Sequence, residues 1–365
     1  MFCVRRGGYS LFAVVSPLRL FFMRQKYFFF WVCFFISLVP IIQIGRRLYT
    51  AFYLYPIDLV YLWVDGSDEQ WAEKKLDWQQ KLNVSHSYSV SESRFTDREE
   101  LLHSLRSVEM YLPWVRKIYI VTDNQIPKWL NTNHPKIKMV FHQDIFPPDA
   151  LPVFNSMAIE TRLPYISGLS EHFIYANDDI FVNKPLSPDF FFDSDGRPIV
   201  YSDEVQTEIN KVYYENESDL WRAIADKPYN LIKSKTDKNI SFLKQISDTH
   251  TLSSYKKSDF LQVLKLFETE FHQTTYSKFR SATDLNRGII DMWNILQHKV
   301  AVKNARRMPE KYGCSISGFF VMNDMSRLEQ EDPCLFCLND AVGVSAQLHT
   351  NYLRRRFSKK SAFEK

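Results

Sequence analysis

The sequence predicts an α/β fold built on a mostly parallel sheet, and three observations predict it. From Pro56 onward, short β-branched or aromatic runs alternate with longer amphipathic stretches, the pattern of successive βα units. Each apolar run is followed by acidic or polar residues, at the end of the strand where open α/β sheets gather their ligands. The chain has 365 residues, 45% hydrophobic and 24% charged, which is enough to bury a sizeable core.

Strands are expected at Ile57–Val64, Lys117–Thr122, Ile137–Phe141 and His172–Ala176, with helices at Asp68–Leu82, Asp97–Tyr111 and Ser156–Ile166. In the second helix Leu101, Leu105 and Val108 share one face, and Thr96 with Glu99 is placed to form a capping box. After about residue 200 the pattern turns helical, at Ser218–Lys233, Ser258–Phe271 and Thr283–Leu296. These segments are read as a C-terminal helical lobe, residues 201 to 345, covering the sheet edge of an α/β part at 56 to 200. The polar stretch from 202 to 250 has no clear period, and a basic tail, 346 to 365, contains Arg354, Arg355, Arg356, Lys359 and Lys360. That tail is expected to be solvated or to lie against an anionic membrane surface.

The formal charge of +4 is concentrated at the N-terminus. Residues 1 to 57 contain Arg5, Arg6, Arg19, Arg24, Lys26, Arg46 and Arg47 and no acidic residue, so the 39 basic residues left face all 42 acidic ones. The body is slightly acidic, which argues against nucleic acid as a partner. Tyr27–Ile44 is an uncharged, aromatic-rich run of 18 residues, close to the ~20 that span a bilayer, and Pro40 lies within it. Residues 1 to 55 are therefore read as a membrane-associating segment. Of five cysteines, Cys314, Cys334 and Cys337 fall in the body, an odd number without zinc-ligand spacing, and reduced thiols are expected.

The ten glycines form no dinucleotide or P-loop motif, and no G-x-S-x-G or H-E-x-x-H is present. What stands out is polar chemistry after each strand: Asp65-Gly66, Asp123, His142 with Asp144, and Asn177-Asp178-Asp179. Any one of these would serve a turn or a helix cap, whereas four in succession point to a crevice. Magnesium takes one or two carboxylates together with phosphate oxygens and water, so Asp178 and Asp179 are candidate ligands for Mg2+ or Mn2+ carrying a nucleotide diphosphate. Further along, Arg280 offers a planar fork to phosphate, and His250 accepts a proton near neutral pH.

The run Asp58-Leu-Val-Tyr-Leu-Trp-Val-Asp-Gly-Ser-Asp68 resembles the first conserved block of the Stealth family. The second block is matched from Arg94-Phe95 through Ser104-Leu-Arg-Ser107, Ile118-Tyr-Ile-Val-Thr-Asp123, Leu151-Pro-Val-Phe-Asn-Ser156 and Phe173-Ile-Tyr-Ala-Asn-Asp-Asp179. The third is represented by His250 and Phe279-Arg280-Ser281 with Asp284, and the fourth by Cys337-Leu-Asn-Asp340. Arg98 stands where an amide is commoner, and His103 where an aromatic is frequent.

The resemblance implies a Rossmann-like, GT-A-like fold. It also implies transfer of a hexose 1-phosphate or N-acetylhexosamine 1-phosphate from a UDP-sugar to a glycan hydroxyl, with UMP released, in capsule or exopolysaccharide synthesis. On that reading Asp178, Asp179, His250 and Arg280 are catalytic, with His250 the general base. Asp65, Gly66 and Asp123 hold the uridine and ribose. Asn155, Ser156 and Asn177 line the sugar, Asn339 and Asp340 close the site, and Arg106 also contacts substrate. The partners are a UDP-sugar donor, an oligo- or polysaccharide acceptor and a membrane surface, with the cytoplasmic face of a bacterial inner membrane as the expected location. Two rivals compete: a glycosyltransferase that breaks the anomeric bond and releases UDP, and an inactive, membrane-tethered glycan-binding protein.

Overall fold

A strand flanked by neighbours and covered on both faces needs apolar side chains at successive positions, and β1 (Ile57–Leu62) is buried at all six, Asp58 included. In a computed structural model, which describes residues 55–85, 87–202, 219–245, 250–305, 312–314, 316–319, 325–338 and 344–365, β1 is the centre of a five-stranded sheet. All of these residues fall in one compact unit, Tyr55–Lys365. The expected membrane-associating segment and the pair Asn339-Asp340 lie outside the described residues.

Parallel to β1 run β2 (Ile118–Thr122) on one side and β4 (His172–Asn177) on the other, with β3 (Ile137–Phe141) beyond β2. The chain thus builds the sheet outward from β1 to β3, then returns to the far side of β1. This reversal makes the carboxyl ends of β1 and β4 a topological switch point, where a crevice must open. The four strands expected from sequence are present, and the sheet is mostly parallel. Outside this sheet lie β5 (Ile180–Val182), β6 (Ile199–Ser202), β8 (Ala301–Asn304), β9 (Ile316–Phe319) and β10 (Leu335–Cys337), and one strand of the sheet was not expected: β7 (Ser253–Lys256) pairs antiparallel with β4 and forms the sheet edge.

Alternation along β1 divides the core. Leu59 and Tyr61 face a cluster with Leu101, Leu105 and Val108 of the helix Glu100–Tyr111, while Val60 and Leu62 face one with Phe260, Val263, Ile289 and Ile290. The helices are α1 (Glu69–Lys81), α2 (Glu100–Tyr111), α3 (Ser156–Glu160), α4 (Asp219–Ser234), α5 (Lys257–Leu266), α6 (Glu268–Thr275), α7 (Gly288–Leu296), α8 (Met325–Glu331) and α9 (Val344–Arg356). The C-terminal helices α5, α6 and α7 contribute to the second cluster, so the helical lobe covers a sheet face and not only its edge.

Several boundaries differ from the sequence reading for local reasons. The helix expected at Ser156–Ile166 stops at Glu160, ahead of Pro164, which sits in a short 3-10 turn. The one expected at Ser258–Phe271 divides at Phe267, whose fully buried ring leaves helical geometry. Thr96 and Glu99 form no capping box: Thr96 donates to Glu92 O, and Glu99 precedes α2 in a left-handed conformation (φ 71°).

One expectation about the C-terminal region is corrected. Cys314 and Cys334 form a disulfide, with Cα atoms 5.5 Å apart, in place of reduced thiols. The basic side chains Arg354, Arg355, Lys359 and Lys360 are exposed, in line with the solvated reading of the tail, although the tail also makes contacts with the body. Arg354 pairs with Glu99 at 3.0 Å, Arg355 pairs with Glu329 of α8, and Arg356 donates to Asn183 Oδ1 at 2.7 Å. Phe357 and Phe363 are buried.

Opposite the crevice, at the amino end of β1, Asp58 is fully buried and accepts from Arg116 through both oxygens, at 2.8 and 2.6 Å, and from Ser170 N at 2.8 Å. Arg116 also donates to Gly168 O at 2.8 Å, so one carboxylate ties the segments entering β1, β2 and β4 together. Replacing Asp58 with Ala leaves the buried Ser170 N–H without its acceptor, while the partly exposed Arg116 can turn to water, and is expected to cost about 1–3 kcal/mol. Urea unfolding of the variant measures this, and a loss below about 1 kcal/mol, the scale of an exposed ion pair, would show the clamp to be dispensable.

Candidate active site

The switch point opens into a cavity of about 190 Å³ whose lining includes Asn177, Asp178, Asp179, Ser156 and Arg280. Leu62, Val121 and His142 line it as well, at the carboxyl ends of β1, β2 and β3. Trp71 and Phe154 add an aromatic wall, with ring centroids 5.5 Å apart, and Phe279 stacks behind Phe154 at 5.1 Å.

The acidic pair is positioned from below by two serines of α2. Ser104 Oγ donates to Ile180 O and lies 2.7 Å from the Tyr61 hydroxyl, while Ser107 Oγ accepts from Val182 N at 3.1 Å. These bonds hold β5 (Ile180–Val182), so the turn Asn177-Asp178-Asp179-Ile180 is fixed at its exit. Leu338 N donates to Asp179 O at 3.0 Å, just beyond β10 (Leu335–Cys337), which pairs with β5. The Ser104-Leu-Arg-Ser107 motif therefore supports the site without entering it.

On the other wall, Arg280 Nη2 donates to Ser156 Oγ at 2.8 Å, and its carbonyl accepts from the buried Ser89 at 2.7 Å. Asp284, one helical turn on in sequence, does not pair with Arg280. It is fully buried and accepts from Asn155 Nδ2 at 2.7 Å and Ser281 N at 2.9 Å, tying the loop before α3 to the segment that bears Arg280.

Other residues assigned from sequence have structural partners. Asn155 caps α3 through Met157 N at 3.2 Å and does not line the cavity. Asp123, 9% exposed at its side chain, is paired with Lys74 of α1. Arg106 points to the C-terminus, donating to Glu364 at 2.9 and 2.8 Å and to Phe357 O at 2.9 Å, so it holds the tail rather than substrate. Asp144 caps the turn after β3 through Phe141 N at 2.8 Å. Asp65 folds onto Ser67, accepting from its N–H at 2.9 Å and its hydroxyl at 2.6 Å. Gly66 is required by close approach: its N–H donates to Phe95 O at 2.6 Å, and a Cβ there would stand 2.4 Å from the same oxygen. His250, half-buried and with φ 47°, is not part of the cavity lining.

Sequence reasoning missed Glu100, Arg98 and His349, which line the cavity alongside the expected residues. A capping pattern at the start of α2 and a basic tail were the only signals for them.

The carboxylates crowd one another. Burial pushes Asp178 well above the usual carboxylate range, with further repulsion from Asp179, Glu100 and Asp97. Burial likewise raises Asp97, to about 7, and Glu100 next to it. Hard carboxylate oxygens are the donors that Mg2+ and Mn2+ prefer, and like charges held this close favour a cation. Among the described residues no group of three or more His, Cys, Asp or Glu could cage a metal ion.

With this geometry in place, comparison with known proteins identifies the lineage. The conserved regions 1 and 2 of the Stealth proteins match residues 55–81 and 94–200. An exopolysaccharide phosphotransferase of Lactiplantibacillus plantarum is 31% identical over 343 residues, covering 85% of this chain and 97% of that one. The chain belongs to the Stealth family. An exopolysaccharide phosphotransferase of Streptomyces coelicolor is 35% identical over 328 residues, and a capsular polysaccharide phosphotransferase of Haemophilus influenzae is 38% identical over 231. The chain spans 50% of the Streptomyces protein's length and 62% of the Haemophilus one's. The galactosyltransferase LgtC, solved with donor and acceptor sugar analogues, aligns at a TM-score of 0.42 and 10% identity over 84% of this chain and 96% of that one, too remote to assign any residue a role.

The raised carboxyl of Asp97 has a consequence for stability. Its folded value near 7 lies above the ordinary 3.8, so its contribution is fully present below about 4 and is lost as the pH climbs through 7. In metal-free buffer the melting temperature is expected to fall between pH 5.5 and 8, and Asp97→Asn is expected to flatten that fall. A variant whose melting profile retains the wild-type slope would remove Asp97 as its source.

Proposed function

We propose that this chain transfers a sugar 1-phosphate from a UDP-sugar to a hydroxyl of a glycan acceptor, releasing UMP, in capsular or exopolysaccharide assembly. The observation that supports this best is the meeting of Asp178 and Asp179 with Arg280 in one cavity at the switch point. The names of its relatives point the same way. The acceptor oxygen attacks the phosphorus bonded to the sugar, the bridging P–O bond to the nucleoside phosphate breaks, and UMP leaves with the electron pair. The anomeric C–O bond stays intact.

Asp178 and Asp179 would hold a divalent cation, which when bound neutralises charge on the diphosphate oxygens. Arg280, oriented by Ser156, donates to the same oxygens and strengthens its hold as charge builds in the transition state. The aromatic wall of Trp71 and Phe154 offers a face for the uracil ring.

The acceptor proton needs a base in the cavity, and the role passes from His250 to His349, which lines it. Burial, reinforced by the Arg98 charge, lowers the His349 titration, so its imidazole is neutral at pH 7. His349 Nε2 is buried with no hydrogen-bond partner, which leaves it open to a hydroxyl.

Incubation with UDP-sugars and Mg2+ or Mn2+ is expected to yield UMP. Release of UDP would favour a glycosyltransferase, and no turnover with any donor would favour the glycan-binding reading. Arg280→Ala is expected to lower kcat about 10²–10³-fold with the fold intact by circular dichroism. His349→Gln is expected to cost about 10²-fold or more, and His250→Gln less. The reverse order would return the base to His250.

The uncharged run Tyr27–Ile44 supports attachment to a membrane surface, although among the described residues no helix is long and apolar enough to cross one. The Cys314–Cys334 disulfide favours an oxidising compartment over the cytoplasmic face of an inner membrane. Alkylation of the protein in its native cells, followed by mass analysis without reductant, is expected to leave both cysteines unlabelled. Labelling of both would restore the cytoplasmic placement.

A further inference from the structure

Asn177, the last residue of β4, lines the cavity, and its side-chain oxygen accepts from the Tyr175 hydroxyl at 2.7 Å. Residues two apart on a strand share a face, so the register of β4 itself brings the pair together. Tyr175 is 1% exposed, and a hydroxyl buried so deeply opposes folding unless it is bonded. Its second acceptor is Glu160 Oε1 at the end of α3, 3.0 Å away.

The tyrosine is itself held from several sides. Arg287, just ahead of α7, stands over its ring at 5.0 Å from the centroid and lies 3.9 Å from Glu160 Oε2. The same guanidinium donates to the Tyr255 hydroxyl at 2.8 Å and to Ser253 Oγ at 3.0 Å, both on the edge strand β7. Polar groups from α3, β4, β7 and the approach to α7 thus converge on Tyr175, and of these side chains only Asn177 lines the cavity.

This bonding decides which way the Asn177 amide faces. The oxygen and the NH2 of an amide are alike in size, so its neighbours determine their placement. Burial, with the Glu160 carboxylate close by, raises the Tyr175 hydroxyl well above the ordinary tyrosine range, so it stays a donor and claims the amide oxygen. Among the described residues the amide nitrogen has no acceptor, which leaves its hydrogens for a ligand. The orientation matters because Asp178 and Asp179 follow directly, and ionised carboxylates only accept. An amide oxygen turned to the cavity would add one more acceptor where an oxygen-rich ligand needs a donor.

We propose that Tyr175 is a positioning residue, turning the Asn177 amide so that its NH2 donates to an oxygen of the sugar 1-phosphate carried by the donor. The proposal rests on the sugar-phosphate transfer described above and deepens it, since it names a neutral donor for the group being moved and the residue that orients it.

The test is a double-mutant cycle on the full chain, read as affinity for UDP-glucose and UDP-N-acetylglucosamine with Mg2+ present and no acceptor. Tyr175→Phe is expected to weaken binding about fivefold or more, the effect of one hydrogen bond, with the fold intact by circular dichroism. Asn177→Ala is expected to weaken it at least as much. Adding Tyr175→Phe to Asn177→Ala is expected to change affinity by less than about twofold, because a residue that acts through Asn177 then has nothing to orient. A purely structural role makes the two losses additive, and additive losses overturn the proposal. So does wild-type affinity in Tyr175→Phe. Asn177→Asp, which replaces the NH2 by oxygen and leaves Tyr175 in place, is expected to lose at least as much affinity as Asn177→Ala, whereas retained affinity would show that the ligand meets an oxygen there and overturn the proposal. Binding needs no catalysis, so these outcomes are separate from the nucleotide released: UDP in place of UMP would overturn the transfer reading and leave the cycle to decide the link between Tyr175 and Asn177.

Discussion

Burying both faces of β1 is the constraint from which the rest follows. A strand with no exposed face carries polar groups only at its ends or in fully bonded pairs, and this one does both. At its amino end Asp58 is saturated by Arg116 and backbone donors and holds three chain segments together. At its carboxyl end the backbone turns away at Asp65-Gly66, and the reversal of strand order leaves a gap beside it. One end stabilises, and the other is left open for chemistry.

Holding acidic groups in that gap requires support, since buried like charges oppose folding. The support comes from neutral hydroxyls: Ser104, Ser107 and Tyr61 fix the exit of the turn that bears Asp178 and Asp179. On the opposite wall Ser89, Ser156 and the buried Asn155–Asp284 pair do the same for Arg280. Motifs dense in serine and asparagine are thus explained as scaffolding. The serines, Tyr61 and Asn155 place charged residues without adding charge themselves, which in a cavity already rich in carboxylates would cost further desolvation.

Much of the fold was legible because strand signals are local. Ile57–Leu62, Ile118–Thr122 and Ile137–Phe141 are short runs of β-branched and aromatic residues bounded by turn formers. β7 was missed because Ser253–Lys256 is polar and becomes a strand only by pairing with β4. Of the site, the turn after β4 and Arg280 were legible as residue types suited to phosphate and metal. Arg106 and Asp123 looked equally suited, and nothing local distinguishes an arginine that meets Glu364, 258 residues away, from one that meets a ligand. His349 was invisible for the converse reason, since it lies on a helix whose neighbours are Arg354 to Arg356 and reads as part of a solvated tail.

The sequence alone determined the sheet-forming segments, the acidic character of their ends and the family to which the chain belongs, because each is written in adjacent residues. Only the tertiary structure decided which polar residues share a cavity and which are tied to structural partners. It also decided that Cys314 meets Cys334 and that the basic tail closes on the body. Those outcomes depend on contacts between residues far apart in the chain, whose geometry is set by how both faces of one sheet are covered.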